Sequence, residues 1–169
     1  MRKKLGLIVA LVVIMATMAV AQEMKVAVID FAYCMRTSVA GKKATAEIQA
    51  LSESKNASLK TLQDELKKME TDYTAKEKLL TDAAKREELQ KFQVKAAEYE
   101  QKVRQAQAEL QAKDQELTQK TLKALETVVN AYAREKGYTV VLQAQAVVYV
   151  GPTVVNISDD VIKRFDAGK

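Results

Sequence analysis

The chain has 169 residues and a formal net charge of +5, and it contains no histidine and no tryptophan. The missing histidine removes the commonest general base and the commonest metal ligand together. With no glycine-rich phosphate loop, nucleophile elbow or cysteine cluster either, the sequence points away from an enzyme and leaves no expectation of a cofactor or metal.

Residues 1–21 read as an export signal: Arg2, Lys3 and Lys4 are its basic start, Leu5 to Met18 its apolar middle, and Ala19-Val20-Ala21 a small-x-small processing site. Cleavage is expected after Ala21. The alternative, an uncleaved anchor, needs roughly 20 spanning residues, more than this apolar run supplies. Without the three basic residues, 24 Lys and Arg stand against 22 Asp and Glu, a net charge of +2. The basicity belongs mostly to the leader. With neither a basic stripe nor stacking aromatics, no specific nucleic-acid partner is expected.

The next element is "KVAVIDF", Lys25 to Phe31, whose run of Val26, Ala27, Val28 and Ile29 suits a strand covered on both faces. The lone Cys34 that follows has no intrachain disulfide partner. It reads as small apolar filler, with an intermolecular bridge or reactive thiol as the alternative.

From residue 40 to 136 the composition is Ala, Leu, Glu, Lys and Gln, with no proline and Gly41 as the one glycine. Thr81-Asp82 offers an N-cap with an acidic first turn in mid-segment, so two antiparallel helices are expected, with the tip near 81–86 and arms on the order of 60 to 80 Å long. Leu59, Leu62, Leu66, Met69, Tyr73 and Leu80 follow 3-4 spacing in the first helix, with Lys76 in a polar slot; Leu89, Phe92, Ala96, Tyr99, Val103, Ala106, Leu110 and Leu117 do so in the second. Packing of the two helices on each other accounts for such stripes. Leu62, Leu66, Met69, Tyr73, Phe92, Tyr99 and Val103 are nevertheless the candidates for facing a bound chain. The seam is poor near "LSESKNAS", where Ser52 and Lys55 replace apolar residues, and an arm built this way should bend.

After Gly137, a helix-ending residue by position, Tyr138 to Leu142 and Ala146 to Val150 read as two strands of a hairpin, although Gln143-Ala144-Gln145 lacks a turn signal. Gly151-Pro152 stops the second, and Ser158 is the expected cap of a short terminal helix. The resulting fold class is α+β: a small antiparallel-sheet body from residues 22–39 and 137–169, carrying a long inserted helical hairpin. A body of about 50 residues is marginal alone. Val26, Val28, Ile29, Val140, Leu142, Val148 and Val150 are therefore expected to form the core of a closed oligomer, with the arms as legs around a cavity.

The opening strand "KVAVID", the helix start "TSVAGKKA", the Lys/Glu/Gln/Ala hairpin and the ending "EKGYTVVLQAQAVVYVGPTVVNISDDVIKRF" together resemble the Skp (OmpH-like) periplasmic chaperones of Gram-negative bacteria. The family motif commonly reads Ser-Pro-Ala-Gly-Lys; here Val39 replaces the proline, and Asn156 stands where an aspartate is frequent. The resemblance implies a periplasmic homotrimer with a β body and three tentacles that enclose unfolded outer-membrane β-barrel proteins without ATP. A slight basic excess between Lys76 and Arg104 suits lipopolysaccharide or an anionic membrane surface as a further partner. The competing function is a structural coiled-coil scaffold of the cell envelope, which predicts a tight uninterrupted seam.

Overall fold

The computed structural model describes residues 24–168, so the expected cleavage point after Ala21 lies outside the described residues. Strand β1 (Val26–Ile29) is the centre of a three-stranded sheet, flanked by β2 (Val140–Gln143) and β3 (Val155–Asn156). Both pairings are parallel, with Val26 opposite Val140, Val28 opposite Leu142, and Ala27 opposite Val155. This corrects the expected antiparallel sheet. It also removes the hairpin: Ala144–Ala146 is a 3-10 turn, residues 147–154 hold no strand, and Val148 and Val150 lie outside the sheet. The reason is turn chemistry. A tight hairpin needs positive φ in its turn, and among the described residues only glycines have it. After β2 the chain instead runs through residues 144–154 to the other side of β1, where β3 pairs; β2 itself is delivered parallel to β1 by the long helix that precedes it, as in a strand-helix-strand crossover.

Between β1 and the hairpin lies a helix that sequence reading did not separate, α1 (Phe31–Thr37). Asp30 caps it, its Oδ1 accepting from the Tyr33 amide at 2.9 Å. Ser38 ends it in an extended conformation and caps the next helix, its hydroxyl accepting from the Gly41 amide at 3.2 Å. The Val39 amide donates to Asp166 Oδ1 at 2.9 Å, a bond that a proline at this position would lack.

Helix α2 (Val39–Lys76) leads through a 3-10 turn, Glu77–Leu79, to α3 (Asp82–Lys136), whose cap Thr81 accepts from the Ala84 amide at 3.3 Å. The reversal therefore occupies residues 77–81 rather than 81–86. At 1.5 Å per residue, the 38 and 55 residues of α2 and α3 make rods of about 57 and 82 Å.

One face of the sheet is covered by the chain's own helices. Ala27 and Ile29 pack with Cys34 of α1, Leu125 and Val129 of α3, and Ile157, Val161 and Ile162 at α4 (Ser158–Asp166). Cys34 is filler in this core, its thiol donating weakly to the Ser158 carbonyl at 3.8 Å and pushed up to about 11 by burial. Ser158 is not the cap expected. It is the first helical residue, its amide donating to Asn156 Oδ1 at 3.0 Å while its hydroxyl accepts from the Asp30 amide at 2.9 Å, which fastens β1 to α4.

Two glycines are required for different reasons. A Cβ on Gly41 would lie 1.6 Å from the Met35 carbonyl oxygen, because α2 starts against the last turn of α1. Gly137 has φ 68° and ends α3 with open space around it. Since backbone cannot rotate aside, Gly41→Ala is expected to cost about 3 kcal/mol. Gly137→Ala should cost about 1 kcal/mol, the left-handed strain alone. Urea unfolding of both variants measures the difference, and a neutral Gly41→Ala would refute the close approach.

Helical arm and open sheet face as candidate binding surfaces

The expected arm candidates Leu62, Leu66, Met69, Tyr73, Phe92, Tyr99 and Val103 are all half-buried. They lie in the seam between α2 and α3, which holds them at heights along the arm rather than in one cluster. The seam tightens toward the body, where Ala106, Leu117, Leu125 and Val129 are buried. Ser52, at the start of the weak stretch, lines one end of an open groove of about 440 Å³ with Met35, Ile48 and Leu117.

Lys55 meets a partner there. It forms an ion pair with Glu109 across the seam, and Lys95 pairs with Glu65 at 2.8 Å further out. The Lys55 ammonium, helped by the Gln105 amide, holds the Glu109 carboxyl below its ordinary value of 4.5. A depressed folded value means that the stabilisation is present above the unfolded value and lost as pH falls through the folded one. Amide exchange around residues 50–60, corrected for intrinsic rates, is thus expected to accelerate between pH 6 and pH 3. Lys55→Met should remove most of that acid sensitivity; an unchanged profile would assign it to other carboxylates.

Leu79, Leu89 and Val94 are the exposed large apolar residues of the arm, at 86%, 46% and 64% of full exposure. Leu89 was expected in the seam. The ladder of α2 passes Met69 and Tyr73 and then reaches the exposed Lys76, so the apolar cover stops short of Leu89. Leu79 and Val94 fall off the 3-4 ladder and are missed by a reading of the seam; an apolar residue that breaks the spacing is the signal that finds them.

The second surface is the other face of the sheet. Strand alternation points Val26 and Val28 away from the helices, and Val140 and Leu142 lie beside them in register. Val26 is half-buried and Val28 and Ile29 are buried, whereas Val140, Leu142, Val148 and Val150 are exposed together with Tyr149. Val28, at 4% exposure, is covered within the chain, so what stays open at this side of the body is Val140 and Leu142 of the edge strand and, in the following loop, Val148, Tyr149 and Val150. Beside it, Lys25 fastens the root of α3: its ammonium donates to the Lys136 carbonyl at 2.8 Å and sits 4.5 Å from the Tyr138 ring centroid. Tyr132 donates to Asp160 at 2.8 Å, and burial together with that carboxylate pushes its hydroxyl up to about 12. The root of the arm is therefore tied to the body at several points.

Among the described residues no helix is long and apolar enough to cross a membrane, and no group of three or more His, Cys, Asp or Glu is placed to hold a metal ion. No curated protein matches the chain. The fold is shared with a solved structure from Caulobacter crescentus CB15, described as a candidate outer membrane chaperone (OmpH-like). It superposes with a TM-score of 0.80 at 22% identity and covers 86% of each chain. In sequence, the family model described as Outer membrane protein (OmpH-like) matches residues 25–165, from the start of the sheet to the last turn of α4. The chain belongs to the OmpH-like family.

Proposed function

We propose that the protein is an ATP-independent holdase of the periplasm, exported by a cleaved leader of residues 1–21, that encloses unfolded outer-membrane β-barrel chains and prevents their aggregation. In this reading residues 22–39 and 137–169 form the body, three copies join through the apolar residues left open beside the sheet, and residues 40–136 of each copy form one tentacle. The observation that carries it is the disproportion between a small body, with the apolar residues Val140, Leu142, Val148, Tyr149 and Val150 exposed, and an arm of two helices about 57 and 82 Å long. A barrel chain without a bilayer has alternating apolar residues and unpaired strand edges, so it aggregates unless shielded. Arms of mixed charge with scattered exposed apolar groups can hold such a chain through many weak, exchangeable contacts.

The tip carries Lys76, Lys78, Lys85 and Arg86 against Glu77 and Asp82, which suits lipopolysaccharide or an anionic membrane surface as a second partner. The open groove at Ser52 and the exposed Leu89 speak against a rigid scaffold of the envelope. The test is light scattering of a barrel protein diluted from urea, without nucleotide. Scattering is expected to stay low at about one oligomer per client; aggregation unaffected by the protein would overturn the reading.

A further inference from the structure

The outer half of the arm has hollows on more than one flank of the seam step where Met69 meets Phe92. The most enclosed measures about 160 Å³ and is walled by Met69 and Tyr73 of α2 and Leu89 and Phe92 of α3, with Glu70 and Glu88 at the rim. We infer that this notch is an anchor site for a single aromatic side chain of an unfolded polypeptide. That the polypeptide is a barrel chain rests on the holdase reading above.

Three observations select this occupant. The first is volume, since an apolar protein cavity of about 150 Å³ holds one benzene ring. The second is the wall. A methionine thioether beside two aromatic rings is soft and polarizable and favours contact with a ring. Leu89, half in water in the free chain, offers apolar area that a ligand covers without opening the seam. The third is charge. Glu70 and Glu88 stand at the notch, and the one ammonium beside them, Lys91, is shared between Glu88 at 3.1 Å and Glu87 at 2.8 Å. Carboxylates therefore outnumber cations there, which disfavours a fatty acid or a lipid phosphate and favours a ring with neutral or basic neighbours. Outer-membrane strands carry aromatic girdles on their outward positions, so an unfolded barrel chain presents such rings repeatedly. The arm thereby gains a fixed point within an otherwise diffuse contact.

The test uses the exported protein carrying carbon-13 in its methionine methyl groups, with N-acetyl-phenylalanine amide and phenylacetate as probes. The Met69 signal is expected to shift with the amide while those of Met24 and Met35 stay in place. Phenylacetate should bind about three- to tenfold more weakly because of the rim charges. The double change Glu70→Gln and Glu88→Gln should erase that difference. Addition of an unfolded barrel protein should move the Met69 signal in the same direction as the amide. Leu89→Trp, which fills the notch from an exposed position, should raise the dissociation constant for the barrel several-fold, whereas Gln119→Trp, at an exposed polar position far down the arm, leaves it unchanged; circular dichroism verifies that both variants are folded. An amide that leaves Met69 unmoved overturns the site. A bound barrel that leaves Met69 unmoved, or a neutral Leu89→Trp, removes the site's role in holding while the holdase reading survives. If the amide shifts Met69 but no barrel binds, the ring site stands and the holdase reading falls.

Discussion

Excision of residues 57–107 is expected to abolish protection of an unfolded barrel while leaving the body folded. The cut is placed by the ion pair between Lys55 and Glu109, which shows that the two helices face each other at that height. Antiparallel helices at that separation can be rejoined by a glycine-containing loop of about four residues. The excised segment holds every arm candidate from Leu62 to Val103 as well as Leu79, Leu89 and Val94. The core residues, Ala27 to Cys34 and Leu125 to Ile162, are untouched. Scattering of the diluted barrel should rise to the level seen without chaperone, while circular dichroism and sedimentation of the shortened chain stay those of a folded body. Full protection by the shortened chain would transfer the holding to the sheet face.

Two aspartate substitutions separate folding from assembly. Val28 sits on the central strand at 4% exposure, and an unpaired charge there costs several kcal/mol, a large part of the total stability of a domain. Val28→Asp is therefore expected to unfold the body outright. Val148 is fully exposed in the single chain, so Val148→Asp should leave the fold of that chain intact. In the proposed trimer, by contrast, Val148 is buried, and the same charge should dissociate it. Sedimentation equilibrium is expected to find a folded monomer for Val148→Asp and no folded species for Val28→Asp. An intact oligomer of Val148→Asp would place the interface elsewhere.

The parts of this fold that were legible in the sequence are those written in local chemistry. Thr81-Asp82 marks the start of α3 and Gly137 its end because a cap hydroxyl and a left-handed glycine act within one turn. Strand direction is not local. The run from Ala146 to Val150 looks like a strand by composition, yet what decides pairing is the route of the returning helix and the absence of a residue suited to a tight turn. Helix α1 was hidden because Phe31-Ala32-Tyr33-Cys34-Met35 continues the apolar run of β1, and only Asp30, a cap, separates them. Ser158 has the residue type of a cap, but the Asn156 side chain accepts from its amide, and the Ser158 hydroxyl is left for the Asp30 amide. On the arm, spacing found the seam but could not show where the facing ladder stops, and so the notch beside Leu89 was not visible.

The parallel pairing of β1 with β2 also sets an order of events as the chain folds. Lys25 and Thr139, bonded at the edge of the sheet, are 114 residues apart, and closing a flexible loop of that size costs about 4 kcal/mol in chain entropy. Contacts of such high order form slowly, whereas the turns of α2 and α3 and the seam near the tip are close in sequence. Zipping from Thr81 downward shortens the open loop step by step until α3 lays β2 beside β1. A chain emerging amino end first must therefore keep the apolar strand Val26–Ile29 unpaired until the last quarter of the sequence has followed it. During synthesis this protein is itself for a time an exposed strand in need of cover, and its own hairpin is the element that ends that exposure.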